Sequence, residues 1–178
     1  MAEQVAVLAG GCFWCTEAVF LDLVGVKSVE SGYTGGTVAS PTYKQVCAGD
    51  TGHAEAIRIT FDPDKIGYDD LLDIFFATHD PTQLNRQGND IGTQYRSAIF
   101  PLDDAQRAEA EAAITRWNED HPGETAVTTI EGPAPWYPAE DYHQEYWEGE
   151  GQRNPYCLAV IPPKLMKLRK SFQAKVRS

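Results

Sequence analysis

The segment 10–15 (GGCFWC) holds the two cysteines of this sequence that are best placed for chemistry. Cys12 follows two glycines at the end of an apolar run and begins a predicted helix. Unpaired backbone N–H groups and the helix dipole at such a position favour the thiolate. A lone cysteine is usually a small buried apolar residue. The glycine turn before Cys12, together with Cys15 one helical turn later, instead predicts that Cys12 is a nucleophile.

The spacing of Cys12 and Cys15 fits a dithiol redox pair or half of a zinc site. A zinc site needs two further ligands. No matching pair occurs among the remaining candidates, which are Cys47, His53, His143 and Cys157. We therefore predict no metal. Phe13 and Trp14 lie between the two cysteines and suggest an apolar pocket for a small hydrophobic group, the alternative being that both pack into the core.

Glu55 lies near the start of the segment 54–61, whose alternating pattern predicts a strand. It shares the parity of Ile57 and Ile59, so the pattern directs its side chain towards the core. A carboxyl group on an apolar face has a raised pKa and keeps its proton near neutral pH, as a general acid requires. The alternative is a glutamate at a strand end that reaches solvent.

The polar segment 80–93 is long for a loop that has no function. Together with the residues that follow it, this loop can bring Asp90 and Tyr95 beside a pocket. A tyrosine hydroxyl there can hydrogen-bond a polar oxygen of a substrate. The alternative is an ordinary solvated loop.

With 178 residues and four cysteines, the chain suits one domain that folds without disulfides. Its formal net charge of −11 argues against nucleic acid or an anionic membrane as a partner. The first residues lack the basic stretch of a secretory signal. No apolar run approaches the ~20 residues that a membrane-spanning helix needs. We therefore expect a cytoplasmic protein, in which thiols are kept reduced.

Hydrophobic periodicity predicts the elements that must position these residues. The predicted strands are residues 5–9, 24–33, 54–61, 96–100 and 126–130. The predicted helices are residues 13–23, 68–79, 103–120 and 164–176, with shorter helical segments at 42–47 and 139–147. The first six elements follow the order β-α-β-β-α-β. We therefore predict a single α+β catalytic domain over residues 1–178, with a ferredoxin-like two-layer core at about 4–131, followed by an irregular coil from residue 132 and a terminal helix.

Several groups of residues together resemble the peptide methionine sulfoxide reductases of the A type. They are the segments 11–14 (GCFW), 52–55 (GHAE), 79–81 (HDP), 88–90 (GND), 92–97 (GTQYRS) and 138–144 (PAEDYHQ). The resemblance runs from about residue 5 to beyond residue 157, and the groups occur in order at compatible spacing. Members of this family reduce the S epimer of methionine sulfoxide, free or in proteins, on a ferredoxin-like α+β fold without a metal.

This resemblance implies a role for each matching residue. The thiolate of Cys12 attacks the sulfoxide sulfur, and Glu55 supplies the proton to the departing oxygen. Tyr43 and Tyr95 match the two family tyrosines that hydrogen-bond this oxygen, and Asp90 matches a supporting acid.

The resemblance also implies the rest of the reaction cycle. Phe13 and Trp14 match the aromatic residues that hold the methyl group of the substrate. Methionine leaves, and Cys12 remains as a sulfenic acid. A second thiol condenses with it to a disulfide, which thioredoxin reduces. We therefore expect no cofactor besides thioredoxin as the external reductant, and a monomer with no nucleic-acid or membrane partner.

The second thiol is the point at which this sequence departs from the commonest form of the motif. Many members carry Gly at the position of Cys15. The other candidate, Cys157, lies in the segment 154–157 (NPYC), where many relatives keep a resolving cysteine. We favour Cys157 because a flexible C-terminal arm can reach Cys12 without unwinding a helix. Cys47 is expected to be buried and to have no role.

Two other functions fit parts of the sequence. A thiol–disulfide oxidoreductase would need only Cys12 and Cys15 and would ignore sulfoxides. A zinc-stabilised interaction domain would bind stoichiometric zinc and unfold when the metal is chelated. Neither explains why Glu55 and Tyr95 accompany the cysteine.

Overall fold

The computed structural model describes residues 3–88, 90–132, 134–144 and 146–176. The centre of this part of the chain is a six-stranded sheet with the strand order β7-β6-β1-β3-β2-β8, and a separate hairpin pairs β4 with β5. The strands are β1 Gln4–Gly10, β2 Val26–Thr34, β3 Ala54–Phe61, β4 Arg86–Gln87, β5 Asp90–Ile91, β6 Ser97–Ile99, β7 Thr129–Ile130 and β8 Tyr137–Pro138. Neighbouring strands of the large sheet are antiparallel, except that β6 and β7 are parallel.

The α-helices of the described residues are α1 Phe13–Leu21, α2 Tyr43–Cys47, α3 Tyr68–Thr78, α4 Asp104–Asp120 and α5 Pro155–Ser171. Short 3-10 turns lie at Thr93–Tyr95, Asp141–His143, Tyr146–Glu148, Glu150–Arg153 and Gln173–Lys175. None of the described helices is long and apolar enough to cross a membrane. The chain therefore has a mixed α+β fold around a mostly antiparallel sheet, as the sequence predicts.

Alternation along β3 divides its side chains between the two faces of the sheet. Ile57 and Ile59 are fully buried in the main core, which also contains side chains of α1 and α3. Ala54 and Ala56 belong to a smaller apolar cluster on the opposite face. Glu55 has the parity of Ile57, so its carboxyl group points to the side of the sheet that α1 covers.

The long helices α4 and α5 begin where side chains can satisfy their first N–H groups. Asp103 accepts a hydrogen bond from the backbone N–H of Gln106 at 2.8 Å and caps α4. Asn154 accepts from the backbone N–H of Tyr156 at 2.9 Å and caps α5. Pro155 occupies the first turn of α5, where a missing N–H is tolerated. These caps fix the start of α5 well before the point predicted from the sequence.

The predicted strands and helices up to Asp120 are present, and their ends lie within two residues of the predicted ones. The predicted loop 80–93 contains the β4–β5 hairpin. The predicted strand 126–130 is shortened to Thr129–Ile130. The short helix predicted at 139–147 is replaced by 3-10 turns.

The prediction for the C-terminal region is wrong in one important respect. The irregular coil ends at Asn154, and α5 begins at Pro155 rather than at residue 164. Pro162 and Pro163 lie inside α5, although proline lacks the N–H that a helix interior uses. Because of this pair of prolines, the hydrophobic pattern did not predict a helix that begins at Pro155. As a result, Cys157 lies in the first turn of a helix and not on a flexible arm.

Candidate active site

Cys12 lies at the turn that joins β1 to α1. Gly11 precedes it with φ of +92°, a left-handed conformation that disfavours residues with a Cβ atom. A Cβ at Gly11 would also lie 2.8 Å from the side chain of Gln87. Cys12 is the N-cap residue of α1, and its carbonyl accepts the backbone N–H of Cys15 at 3.0 Å. The glycine turn thus puts the thiol at the helix start, with 8% of the residue surface exposed.

The thiols of Cys12 and Cys15 are hydrogen-bonded to each other. This hydrogen bond, burial and the charge of an ionised Glu55 raise the pKa of Cys12 well above its usual range. The same hydrogen bond lowers the pKa of Cys15. The expectation that the helix start favours a Cys12 thiolate is therefore wrong for the site as it stands. The helix dipole contributes at most about 2 kcal/mol, and burial of the charged form outweighs it here.

Glu55 lies beside Cys12, beneath the start of α1. Its Oε1 accepts the backbone N–H of Phe13 at 3.2 Å. Its Oε2 is buried and receives no hydrogen bond from the described residues. Burial raises the pKa of Glu55 to about 8, so the carboxyl group is mostly protonated at neutral pH. The inward position and raised pKa agree with the strand pattern, and Oε2 is the oxygen from which a proton can be given.

Two tyrosines that lie on different elements belong to this site. Tyr43 begins α2, and Tyr95 ends the 3-10 turn that precedes β6. Both hydroxyl groups are hydrogen-bonded to the thiol of Cys47. Burial and the charge of Glu55 raise the pKa of both tyrosines, which therefore keep their protons and can donate hydrogen bonds. Cys47 is exposed, so the expectation that it is buried is wrong. Its expected lack of a role stays a prediction.

An aromatic cluster forms one wall of the site. Phe13 is fully buried and stacks on Tyr43, with ring centroids 6.2 Å apart. Trp14 is only partly buried and stacks on Tyr146 at 4.1 Å. Its indole N–H donates to Nδ1 of His143 at 3.0 Å. Burial lowers the pKa of His143, and a neutral ring can accept this hydrogen bond. Trp14 thus has its orientation fixed while part of its surface stays accessible.

Asp90 connects the β4–β5 hairpin to α5. Its Oδ2 accepts a hydrogen bond from the hydroxyl group of Tyr156, and Tyr156 is also hydrogen-bonded to the thiol of Cys15. The charge of Asp90 raises the pKa of both Glu55 and Tyr95. Asp90 therefore lies close to the reacting groups, as the sequence predicts. Sequence reasoning missed Tyr156, although the neighbouring cysteine in the segment 154–157 had drawn attention to that stretch.

The second candidate thiol, Cys157, is fully buried. It lies in an apolar cluster with Cys12, Cys15 and Ile161, where α5 packs on α1. Burial raises the pKa of Cys157 to about 11. Both candidate second thiols are thus in the same cluster as Cys12, but the hydrogen bond is to Cys15.

Hydrogen bonds from neighbouring segments fix the two tyrosines. Gln94 donates from Nε2 to the carbonyl of Cys47 at 3.4 Å and thereby joins the turn that carries Tyr95 to α2. Glu140 accepts the backbone N–H of Tyr43 at 3.0 Å. The segment 138–144, which the sequence marked without a stated role, therefore helps to position α2.

Among the described residues, no group of three or more His, Cys, Asp or Glu side chains could hold a metal ion. The described site consists of two hydrogen-bonded thiols, a protonated carboxyl group, two tyrosine hydroxyls and an aromatic wall. This arrangement suits nucleophilic attack by sulfur on a group whose oxygen must be protonated as it leaves.

The family model described as peptide methionine sulfoxide reductase matches residues 4–176. A relative from Erwinia tasmaniensis, named peptide methionine sulfoxide reductase MsrA, is 70% identical over 174 residues, which are 98% of this chain and 97% of the relative. The solved structure of reduced Mxr1 from Saccharomyces cerevisiae is similar with a TM-score of 0.78 and 36% identity, over 86% of both chains. Mxr1 in complex with Trx2 is similar with a TM-score of 0.58 and 25% identity, over 81% of this chain and 84% of that one.

A Glu55→Gln substitution tests the buried carboxyl group through the pH dependence of stability. The folded-state pKa of about 8 lies above the ordinary value of 4.5, so unfolding between these pH values releases a proton. The stability of the wild type should therefore fall as pH rises from about 4.5 to 8, with the penalty complete above 8. Glu55→Gln lacks this penalty. We expect it to gain on the order of a few kcal/mol relative to wild type between pH 4 and pH 9.

Urea unfolding of both proteins at several pH values measures this difference. Glu111→Gln, which alters an exposed carboxylate of α4, is the matched control and should follow the wild type. A difference between Glu55→Gln and wild type that stays constant from pH 4 to pH 9 would contradict the raised pKa.

Proposed function

This chain belongs to the peptide methionine sulfoxide reductase family, and from that premise we propose that Cys12 and Glu55 carry out the reaction on the S epimer, free or in proteins. The chain is an oxidoreductase that reduces methionine sulfoxide. One observation carries the assignment of residues. A buried thiol, Cys12, lies beside a protonated carboxyl group whose Oε2 has no hydrogen bond from the described residues.

In the first step, the sulfur of Cys12 attacks the sulfoxide sulfur while Glu55 gives its proton to the sulfoxide oxygen. The carboxylate of Glu55 then takes up the proton of the Cys12 thiol. The bond between the substrate sulfur and oxygen breaks as the protonated oxygen passes as hydroxyl to the sulfur of Cys12, the bond between the two sulfurs breaks, and methionine leaves. The sulfur of Cys12 is oxidised to a sulfenic acid, and the substrate sulfur is reduced by the same two electrons.

The raised pKa of Cys12 sets the order of the two proton transfers in this step. Without substrate, Cys12 keeps its proton because burial disfavours the thiolate. A sulfoxide oxygen that accepts the proton of Glu55 turns that carboxyl group into a base beside the thiol. Cys12 therefore becomes a nucleophile mainly when a sulfoxide is bound, and it reacts slowly with other electrophiles.

The remaining residues of the site orient the substrate in this proposal. Tyr43 and Tyr95 donate hydrogen bonds to the sulfoxide oxygen, which their raised pKa values allow. Asp90 supports the protonated state of Glu55 through its negative charge. Phe13 and Trp14 form the aromatic wall against which the methyl group packs, a geometry that selects one epimer.

For the second step we propose Cys15 as the thiol that condenses with the sulfenic acid. The reason for preferring Cys157 was a flexible arm, and Cys157 lies instead in α5 and is fully buried. Cys12 and Cys15 are the N-cap and third residues of α1, so a disulfide between them does not require the helix to unwind. Condensation joins the two sulfurs and releases the sulfenic oxygen as water.

We propose that thioredoxin reduces this disulfide, since the similar protein Mxr1 has been solved in complex with Trx2. Two thiols of the reductant become its own disulfide, and the two cysteines of this chain return to thiols. The cycle then needs no prosthetic group. A reducing compartment such as the cytoplasm suits it, because all four cysteines are free thiols.

We further propose one catalytic domain over residues 1–178, acting as a monomer, with no nucleic acid or membrane as partner. The strand order β6-β1-β3-β2, with each neighbouring pair antiparallel, supports a ferredoxin-like core. β7 and β8 extend this core at its two edges.

A Cys12→Ser substitution tests the nucleophile. The variant should release no methionine from methionine-S-sulfoxide, because a serine hydroxyl cannot take up the oxidising equivalents of the sulfoxide. The wild type should leave the R epimer unreduced and should not reduce the disulfides of insulin. Chromatography measures the release of methionine. Turnover of the S epimer by Cys12→Ser would contradict the proposal that Cys12 is the nucleophile.

The pH dependence of the first step tests Glu55 as the proton donor. The single-turnover rate of methionine release by the wild type should fall as pH rises through about 8, where Glu55 loses its proton. Glu55→Gln should be slower by about 10²–10⁴-fold at neutral pH, the usual contribution of general acid catalysis. It should also lose the fall above pH 8. If both proteins show the same profile, Glu55 is not the donor.

Comparing Cys15→Ser with Cys157→Ser identifies the second thiol. With thioredoxin and its reductase present, Cys15→Ser should release one equivalent of methionine and then stall, whereas Cys157→Ser should continue to turn over. Mass mapping of the wild type after one turnover should find a Cys12–Cys15 disulfide. A stall confined to Cys157→Ser would reverse the assignment.

A further inference from the structure

Lys164 lies on the face of α5 that packs against the thiol cluster. Cys157 and Ile161 precede it by seven and three residues, so the three side chains share one side of the helix. Cys157 and Ile161 belong to the apolar cluster that contains Cys12 and Cys15. Lys164 is half-buried at the edge of this cluster. The face of α5 that carries Lys164 therefore adjoins the group of thiols.

The position of the ammonium group is fixed by the end of a helix. The Nζ atom of Lys164 donates a hydrogen bond to the carbonyl of Thr78 at 2.5 Å. Thr78 is the last residue of α3, where the carbonyl groups lack intrahelical partners and the dipole favours a positive charge. The other side of Lys164 faces a cavity of about 720 Å³ that also contacts α3 and α4. Among the described residues, Asp80 interacts with the amine through its charge, and no carboxylate forms an ion pair with it in direct contact.

Several titratable groups interact with Cys15 through hydrogen bonds or charge. They are Cys12 in the β1–α1 turn, Glu55 in β3, Asp90 in β5 and Tyr156, Cys157 and Lys164 in α5. Of these groups, Lys164 carries the positive charge. The thiol of Cys12 lowers the pKa of Cys15 most, and Lys164 lowers it further. Burial lowers the pKa of Lys164 itself, and the charges of Cys15, Cys12 and Asp80 oppose that shift.

We propose that Lys164 is a positioning residue for the second step, in which its ammonium group stabilises the thiolate of Cys15 that attacks the sulfenic acid of Cys12. This role rests on the proposed function. In these buried surroundings the charge of Lys164 acts over a longer distance, because the attraction between opposite charges is screened less than in water. Lys164 acts chiefly through Cys15, and its weaker interaction with Cys12 bears on the first step.

The second step balances without an added reagent. The Cys15 thiolate forms a bond to the sulfur of Cys12, and the S–O bond of the sulfenic acid breaks. The proton that Cys15 gave up joins the departing hydroxide, and one water leaves. Cys15 is oxidised, and the sulfenic sulfur of Cys12 is reduced to the level of the disulfide.

The test separates the two steps in a single turnover without thioredoxin. Reduced protein is mixed with saturating methionine-S-sulfoxide at pH 5 to 9 and quenched at intervals. Dimedone then traps the sulfenic acid, and mass spectrometry quantifies the sulfenic acid and the disulfide. Lys164→Met removes the charge and keeps most of the length of the side chain. Lys164→Arg keeps the charge, and Lys167→Met removes a neighbouring exposed charge of α5 as the matched control.

We expect Lys164→Met to form the disulfide at least about tenfold more slowly at neutral pH, a larger loss than in the release of methionine. The midpoint of its pH profile for disulfide formation should move upward by about one unit or more. Lys164→Arg and Lys167→Met should stay within about twofold of the wild type. An unchanged midpoint in Lys164→Met overturns the proposal. An equal loss in Lys164→Arg overturns it as well, because the effect would then come from packing.

A measurement without sulfoxide keeps this inference apart from the proposed function. Iodoacetamide alkylation of Cys15, followed peptide by peptide against pH, should show a higher midpoint in Lys164→Met than in the wild type. This shift is expected even if Cys12 should fail to reduce sulfoxides. Equal alkylation midpoints in the two proteins, both folded by circular dichroism, overturn the role of Lys164.

Discussion

The hydrogen bond from the backbone N–H of Phe13 to Oε1 of Glu55 is the contact on which the site depends. It joins the start of α1 to β3, so Cys12 and Glu55, the proposed nucleophile and proton donor, keep a fixed separation. It also occupies one carboxyl oxygen and leaves Oε2 as the one that can hold a transferable proton. A single backbone donor is too little to hold a buried carboxylate in its charged form. This contact therefore positions Glu55, while burial keeps the carboxyl group protonated although the hydrogen bond lowers its pKa.

Burial disfavours the charged form of the carboxyl group and of the thiols, and so it tends to raise the pKa of each. The chemical consequences differ between these groups. In the proposed reaction, loss of hydration keeps on Glu55 the proton that the reaction needs. On Cys12, it adds to the effect of Cys15 and keeps a proton that must leave before sulfur can attack. In this proposal a bound sulfoxide connects the two groups, because it takes the first proton and frees a base for the second. Cys15 differs from both, since hydrogen bonds and a nearby cation favour its thiolate.

Local patterns predicted the central part of the site. A period of two along β3 was enough to point Glu55 inward, and a glycine turn before a helix was enough to single out Cys12. Features that depend on tertiary contacts were predicted less well. Pro162 and Pro163 hid α5, because the propensity of proline for helix interiors is poor while packing on α1 and α3 holds this helix together.

The state of each thiol also lay beyond sequence reasoning. The helix dipole alone predicted the wrong direction for the pKa of Cys12, because the interaction with Cys15, burial and the charge of Glu55 together raise it. Cys47 was expected to be buried, yet it is exposed. It interacts with both tyrosines of the site because the fold brings α2 against the turn before β6. The flexible arm inferred for Cys157 is wrong for the same reason, because tertiary packing places this residue in α5. The choice between Cys157 and Cys15 stays a prediction.

The most direct test of this account is a carbon-13 NMR titration of the Glu55 carboxyl group in the substrate-free protein, assigned by its absence in Glu55→Gln. The account predicts a titration midpoint of about 8, so that the signal at pH 7 is that of a protonated acid. A midpoint near the ordinary value of 4.5 would contradict it, because Glu55 would then be ionised at neutral pH and could not supply the proton.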